Sequence, residues 1–180
     1  MSNAVCVFCA SSNRVEQRWL DLAFEVGAEL GRRGHTVVSG GGRVGMMGTV
    51  GAGARSVGGR TVGIMPQRLV DWEVADHDSD ELIITDGMAS RKALMIEKSD
   101  AFLTLPGGLG TLDELFEVWT TGVIGVHDKP IVLLNVDDFY TPLIDWLDRL
   151  VEPAFVTDTG RRLLTVVRSI PAAMSTLGSR

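Results

Sequence analysis

The most constraining feature of this sequence is a series of short, continuous apolar runs that alternate with segments of helical periodicity. The runs have the length of strands, and the segments between them place apolar residues three and four positions apart, as helices do. Predicted strands span residues 4–9, 35–39, 61–65, 82–85, 101–105, 131–136 and 163–167, and predicted helices span 16–33, 45–56, 89–98, 111–121 and 142–151. Strands that are apolar throughout have both faces covered, so the pattern predicts an α/β fold with a doubly wound parallel sheet flanked by helices on both faces.

Length and composition favour one such unit. The 180 residues suit a single domain, and no repeat or shift in composition divides them, so residues 1–180 are predicted to form one Rossmann-like domain. The net charge of −6 has the wrong sign for binding a nucleic-acid polymer. No apolar run is long enough to suggest a membrane span, and the N-terminus lacks a signal-peptide pattern, so a cytoplasmic protein is expected.

Metal, disulfide and hydrolase motifs find little support in the sequence. Cys6 and Cys9 form a C-x-x-C, but in a strand a separation of three residues puts the two side chains on opposite faces. The histidines, His35, His77 and His127, are scattered, and neither a G-x-S-x-G motif nor a P-loop occurs. We therefore expect no metal site, and we set aside serine-hydrolase and zinc-enzyme chemistry.

Glycine makes up 21 of the 180 residues, and 13 of these glycines fall into two segments, residues 40–63 and residues 106–114, each of which begins after a predicted strand. Doubly wound sheets bind ligands at that edge. The first segment opens with residues 40–45, which fit G-x-G-x-x-G, yet the next strand ends in Ile64-Met65-Pro66 without the acid that would contact a ribose. A dinucleotide cofactor is therefore disfavoured. Alternatively, these glycines let a helix pack closely and let the backbone approach a ligand.

The second glycine segment, residues 106–114 (PGGLGTLDE), carries the strongest signal in the chain. Three glycines follow a predicted strand and open a helix, so backbone N–H groups and the positive end of the helix dipole converge on one spot. Thr111 adds a hydroxyl. These are the parts of a phosphate-binding loop. A structural alternative stays open, in which Thr111 caps the helix and Glu114 completes a capping box.

Two adjacent cations, Arg91 and Lys92, stand near the start of the predicted helix 89–98. Cations at that end oppose the helix macrodipole, so helix stability alone does not explain them. One interpretation is that they bind an anion and that Arg91 faces Glu114 across a shared sheet edge. The other is that they are exposed basic residues on a solvated face.

These segments together resemble the LOG (Lonely Guy) family of cytokinin riboside 5′-monophosphate phosphoribohydrolases, which are often labelled lysine decarboxylases. The resemblance runs from about residue 5 to residue 155, and four segments carry it: residues 8–12 (FCASS), 40–48 (GGGRVGMMG), 88–92 (MASRK) and 106–114. It implies cleavage of the N-glycosidic bond of N6-modified adenosine 5′-monophosphates to free base and ribose 5-phosphate. No cofactor is implied.

The same resemblance assigns catalysis to Arg91 and Glu114. The substrate contacts that it implies are Glu73, Arg91, Lys92, Gly107, Gly108, Leu109, Gly110, Thr111, Leu112, Asp113, Glu114 and Thr120. A carboxylate near C1′ would stabilise positive charge on the sugar and activate water, while Arg91 would orient that carboxylate and the nucleotide. Two alternatives remain: a broader nucleosidase that accepts AMP, and a nucleotide carrier without catalysis.

The resemblance implies that the protein forms a homodimer. Four apolar residues on the helix after the glycine segment either supply its contact surface or belong to the ordinary core. They are Leu115, Phe116, Val118 and Trp119.

Overall fold

A seven-stranded parallel sheet forms the centre of the computed structural model, which describes residues 4–72 and 74–178. The strands are β1 (Ala4–Phe8), β2 (Thr36–Ser39), β3 (Thr61–Pro66), β4 (Glu81–Thr85), β5 (Ala101–Thr104), β6 (Ile131–Leu134) and β7 (Leu164–Val167). Their order is β4-β3-β2-β1-β5-β6-β7, and every neighbouring pair is parallel. The chain builds one half of the sheet, returns to the centre and builds the other, which confirms the doubly wound prediction.

The helices connect these strands. They are α1 (Gln17–Arg32), α2 (Gly45–Ser56), α3 (Gln67–Val70), α4 (Met88–Glu97), α5 (Leu109–Val123), α6 (Thr141–Arg149), α7 (Asp158–Leu163) and α8 (Ile170–Leu177), with a 3-10 turn at Val136–Asp138. The five predicted helices are present with small shifts at their ends. The sequence prediction missed α3, α7 and α8. Among the helices in the described part of the chain, none combines the length and apolar character needed to cross a membrane.

Each face of the sheet has its own apolar core, because side chains alternate along buried strands. Val5 and Val7 of β1 pack with α1, α2 and α8, whereas Cys6 and Phe8 pack on the other face with α4, α5 and α6. Cys9 belongs to the same core as Val5, opposite Cys6, and both cysteines are buried free thiols. The prediction that their side chains lie on opposite faces is confirmed.

The helices α1 and α2 touch at backbone distance, and glycines make this possible. A Cβ atom at Gly27 would lie 2.0 Å from the carbonyl oxygen of Val50, and one at Gly53 would lie 2.1 Å from that of Phe24. No side chain fits in these spaces. Part of the first glycine segment and its helix therefore serves close packing, as the alternative to a dinucleotide motif predicted.

The loops that follow β1 and β5 start at the same level of the sheet, since Phe8 and Thr104 are register partners. The backbone N–H of Ala10 donates to the carbonyl of Pro106 at 3.2 Å, and that of Met47 donates to the carbonyl of Ala10 at 3.2 Å. These bonds join the loop after β1, the start of α2 and the loop before α5. The junction lies where the strand order reverses, which is where crevices open in such sheets.

Candidate functional site

A cleft of about 520 Å³ opens at this reversal point. Its volume falls within the range of small-molecule sites. One end is polar and is formed by Arg91, Glu114 and the start of α5. An apolar wall of the cleft is formed by the side chains of Met65, Leu69, Trp72, Val74 and Met88. The cleft can therefore hold a ligand that has both a charged and an apolar part.

The polar end contains the N-terminus of α5. The helix begins at Leu109 after Gly108, no side chain caps it, and its first turn carries no acidic residue. Because the first N–H groups of a helix have no partner within it, they are available to an anion, and the helix dipole adds attraction. The predicted helix start after the glycines is present, and its role as a phosphate-binding loop stays a prediction.

Two glycines of this loop have no structural explanation within the chain. A Cβ atom at Gly108 or Gly110 would meet no heavy atom within 4 Å. Gly108 has a φ of −101°, so it does not adopt the left-handed conformation that favours glycine. Both glycines line the cleft. The space beside them is therefore open to a ligand that approaches the backbone closely.

The capping alternative for Thr111 is wrong. The helix starts at Leu109, so Thr111 already lies in its first turn and is buried. Its side chain packs over Gly107, where a Cβ atom would lie 2.1 Å from Thr111 Oγ1. Glu114 turns away from the helix start and contacts Arg91 instead. Gly107 thus makes room for Thr111, which lines the cleft.

Arg91 and Glu114 form a buried ion pair at the polar end. Arg91 Nη1 lies 3.3 Å from Glu114 Oε1, and the side chains are 7% and 9% exposed. Arg91 Nε donates to the carbonyl of Ile64 at 3.0 Å, which ties the guanidinium to β3. A Cβ atom at Gly40 would lie 1.7 Å from Arg91 Nη2, so that glycine provides the space for the guanidinium. The predicted meeting of Arg91 and Glu114 is confirmed.

Two titratable side chains of the cleft have altered proton affinities. Burial raises the pKa of Glu114 above its ordinary value, and Arg91 opposes this effect. A carboxyl group with a raised pKa in a cleft is suited to accepting a proton during catalysis. Burial also raises the pKa of Cys9 far above the ordinary thiol value, so this thiol stays protonated and is a poor nucleophile.

Lys92 does not line the cleft. Its Nζ atom lies 2.9 Å from Asp113 Oδ2 and 2.6 Å from Glu117 Oε2, and its side chain is 20% exposed. Asp113 points toward Lys92 rather than toward the cleft. The alternative of two cations on a solvated face is wrong, because Arg91 is buried and Lys92 is mostly covered. The anions that both cations meet are carboxylates of α5.

Leu112 and Thr120, which the resemblance also implies as contacts, do not line the cleft. Leu112 packs against the core beneath α5. Thr120 is exposed and lines a separate apolar groove between α5 and α6. Glu73 lies outside the described residues. The resemblance therefore implies more contacts than the cleft of one chain brings together.

The apolar wall was missed by the sequence analysis. Leu69 belongs to α3, a single turn that has no periodicity to reveal it, and Trp72 follows in the next loop. The Trp72 side chain is largely exposed, and the guanidinium of Arg68 lies 5.1 Å from its ring centroid. A tryptophan in a polar loop was the only signal available. Such a residue is usual at binding surfaces.

A reversal-point cleft with an open helix N-terminus and a buried arginine–glutamate pair is typical of α/β proteins that bind phosphorylated small molecules. A family model described as "Possible lysine decarboxylase" matches residues 47–177. Curated relatives matched over most of the chain are named cytokinin riboside 5′-monophosphate phosphoribohydrolases. The chain belongs to this family, the LOG family, which confirms the resemblance.

Two of these relatives show how far the similarity extends. A phosphoribohydrolase of this name from Mycobacterium tuberculosis is 49% identical over 170 residues, covering 94% of this chain and 90% of that protein. The enzyme named LOG3 from Arabidopsis thaliana is 41% identical over 160 residues, covering 89% of this chain and 74% of its own length.

Among solved structures, the molybdenum cofactor binding protein of Rippkaea orientalis has a TM-score of 0.77 to this chain. It is 22% identical, and the match covers 99% of this chain and 97% of that one. At this identity the likeness supports the fold alone.

Proposed function

We propose that this protein is an enzyme that hydrolyses the N-glycosidic bond of N6-modified adenosine 5′-monophosphates. The products are the free base and ribose 5-phosphate. The observation that carries the proposal is the buried Arg91–Glu114 pair beside the open N-terminus of α5. The names of relatives at 41% to 49% identity support the same reaction. No cofactor is required by this chemistry.

The 5′-phosphate binds at the start of α5 in this proposal. The backbone N–H groups after Gly108 and the Thr111 hydroxyl are the donors, and the helix dipole favours the negative charge. Gly108 and Gly110 leave the space that the phosphate oxygens need. This placement leaves Glu114, one turn further along the same helix, for the sugar.

Glu114 is the catalytic carboxylate in the proposed mechanism. Cleavage of a glycosidic bond develops positive charge on the sugar, which an ionised carboxylate near C1′ stabilises. Its raised pKa makes Glu114 a stronger base toward the attacking water than an exposed carboxylate would be. A guanidinium is a poor proton donor, so Arg91 orients Glu114 and balances its charge. Glu73 stays a predicted contact with ribose or base.

The apolar wall favours a modified base over plain AMP. Met65, Leu69 and Trp72 present apolar surface to the cleft. An apolar N6 substituent would bury this surface, at roughly 25 cal/mol per Å², whereas an unsubstituted amino group would leave it in water. The wall thus argues against a broad AMP nucleosidase.

We also propose that the protein works as a homodimer. Exposed apolar side chains surround the groove between α5 and α6, with Trp146 54% exposed and Phe155 81% exposed. Patches of this kind commonly mark protein interfaces. Of the four α5 residues considered for this surface, Leu115, Val118 and Trp119 are core residues, as the alternative predicted, and Phe116 is partly exposed. Light scattering of wild type and Phe155→Glu tests this, with a dimer expected for the former and a monomer for the latter.

The proposed setting is the cytoplasm, and the proposed substrate is a free nucleotide. Cys6 and Cys9 are free thiols, as is usual in a reducing compartment. The net charge of −6 disfavours a nucleic-acid polymer, whereas a single phosphate can be met by local N–H groups.

The enzymatic proposal is tested by incubating the purified protein with isopentenyladenosine monophosphate, AMP and unphosphorylated isopentenyladenosine, and quantifying released base. Release from the modified monophosphate alone is expected. Equal turnover of AMP would favour the broader nucleosidase, and release from none would favour a carrier.

The matched variant for this assay is Glu114→Gln, which keeps the shape of the side chain. Its rate should fall by about 1,000-fold, the upper range for removing one group that stabilises developing charge. Circular dichroism should show that it still folds. A near-normal rate would remove Glu114 from the mechanism.

A further inference from the structure

Lys92 is the cation beside the site that the cleft does not use. Its ammonium lies 2.9 Å from Asp113 and 2.6 Å from Glu117, both on α5. Glu117 Oε2, the oxygen that pairs with Lys92, is buried from solvent. The Asp113 side chain is 60% exposed, so that contact is weakened by solvent. The Lys92–Glu117 contact is therefore the stronger of the two.

The helices that this contact joins are anchored to different halves of the sheet. α4, which carries Lys92, packs on β3 and β4, whereas α5 packs on β1 and β5. β2 lies between β3 and β1 in the sheet. The Arg91–Glu114 pair therefore bridges two helices that share an apolar core but lie on strands that are not neighbours in the sheet. Its geometry depends on whatever holds α4 against α5.

We propose that Lys92 is a positioning residue: with Asp113 and Glu117 it forms a clamp that fastens α4 to α5 and sets the approach of Arg91 to Glu114. Lys92 follows Arg91 on α4, and Asp113 precedes Glu114 on α5, so the clamp and the inner ion pair lie side by side. This inference rests on the proposed function only in treating Arg91 and Glu114 as the reacting pair.

The competing role for Lys92 is direct contact with the nucleotide. Lys92, Glu114 and Glu117 do line a small cavity, but its volume is about 10 Å³. That is the volume available to one water molecule, too small for a phosphate or a sugar. To reach a ligand in the cleft, Lys92 would have to leave both carboxylates. The arrangement favours the clamp.

Electrostatics give the clamp a distinctive signature. Lys92 lowers the pKa of Glu114, while Asp113 and Glu117 raise it, alongside the larger effects of burial and Arg91. Removing Lys92 should therefore move the acidic limb of the kcat/KM profile to higher pH. Removing the charge of Glu117 should move it to lower pH. If removing Lys92 and removing the Glu117 charge both lower kcat, the clamp explains the shared loss, because their electrostatic effects on the pKa of Glu114 are opposite in sign.

The first experiment compares Lys92→Met, Lys92→Arg, Glu117→Gln and Asp113→Asn with wild type in steady-state kinetics. The clamp predicts that Lys92→Met and Glu117→Gln both lower kcat by about 10- to 100-fold, as misplacement of reacting groups does. KM should stay within about threefold, Asp113→Asn should have a smaller effect, and Lys92→Arg should keep most of the activity. A raised KM for Lys92→Met with normal kinetics for Glu117→Gln would overturn the clamp and favour a nucleotide contact.

The second experiment does not depend on turnover. Crystal structures of Lys92→Met and Glu117→Gln should show Arg91 Nη1 farther from Glu114 Oε1 than the 3.3 Å of the intact chain. An unmoved pair in both variants would overturn the clamp. If the wild-type protein released no base from any nucleotide, the proposed function would fail, and this structural comparison would still decide the clamp. Should Lys92→Met not fold, Glu117→Gln provides the same test.

Discussion

The two glycine segments look alike in the sequence, yet the structure gives their glycines different reasons to be there. Around α2 the reason is internal: a Cβ atom at Gly53 would strike the backbone of α1, and one at Gly40 would strike the guanidinium of Arg91. Before α5 the reason is mostly external, because a Cβ atom at Gly108 or Gly110 would touch nothing in the chain. Only Gly107 in the second segment makes room for another side chain, that of Thr111.

This contrast separates folding from function at the level of single residues. A glycine whose missing Cβ is filled by protein atoms is required for the fold. A glycine at a cleft wall whose missing Cβ would meet empty space is consistent with close approach of a ligand. The predictions below test the distinction, beginning with the variant that should have the largest effect.

Gly53→Ala should destabilise the fold the most. The new methyl group would lie 2.1 Å from the Phe24 carbonyl oxygen, and α1 and α2 would have to separate. We expect a loss of about 3 kcal/mol in the free energy of unfolding, the upper range for overpacking, measured by urea denaturation. Gly51→Ala in the same helix is the control, because its Cβ would meet only the movable ends of Arg55 and Asp76. Equal losses from both variants would contradict the packing argument.

Gly40→Ala should affect activity more than stability. The methyl group would occupy the position of Arg91 Nη2 and push the guanidinium away from Glu114. We expect kcat/KM to fall by about 100-fold, equivalent to about 2.7 kcal/mol. Gly42→Ala serves as the comparison, since its Cβ would meet the flexible Met47 side chain at 3.1 Å. A normal rate for Gly40→Ala would show that Arg91 does not need this position.

Gly108→Ala should weaken substrate binding and leave the fold intact. The expected rise in KM for the nucleotide monophosphate is about tenfold, or about 1.4 kcal/mol, with unfolding free energy unchanged within about 0.5 kcal/mol. Gly87→Ala is a close control: Gly87 also precedes a helix, and its Cβ would meet nothing, but it does not line the cleft. If the two variants had the same KM, Gly108 would not be needed for close approach of the substrate.

Much of the fold was predictable because strands that are buried on both faces are apolar at nearly every position. All seven strands were predicted from their apolar runs, and the parallel sheet follows from those runs. The helix α8 was missed although Ser169, which accepts a hydrogen bond from the Ala172 N–H, and Pro171 mark its start. Its apolar positions, Ala173, Met174 and Leu177, are too few to make a periodic signal in so short a segment.

The site was predictable where it depends on local sequence and not where it depends on neighbours across the sheet. The glycine-rich turn at the open start of α5 was predicted from residues 106–114. By contrast, Arg91 and Lys92 were indistinguishable, because adjacent residues on a helix point about 100° apart and the sequence does not show which direction faces the cleft. Trp72 reaches the cleft from α3 and β3 on another part of the sheet, so no spacing near residues 106–114 could reveal it.

The smallest effect concerns the pH dependence that the buried Glu114 gives the protein. Its pKa is raised in the folded state, so at pH values between the ordinary and the raised pKa the folded protein holds a proton that the unfolded chain has released. Stability should therefore fall as pH rises through this window, whereas activity should rise because the carboxylate ionises. Urea denaturation and kcat/KM measured over the same pH series should give slopes of opposite sign.

Glu114→Gln supplies the control for that pair of slopes, since a glutamine cannot titrate. Its stability should lack the decline with pH in this window, and the other carboxyl groups should contribute equally to both proteins. At pH values above the window the variant should be more stable than wild type, because it has no charge to bury, although Arg91 then lacks its partner and reduces the gain. Parallel curves of unfolding free energy against pH for the two proteins would show that burial does not raise the pKa of Glu114. The distinction drawn for the glycines, between residues needed for packing and residues needed for chemistry, would then not apply to Glu114.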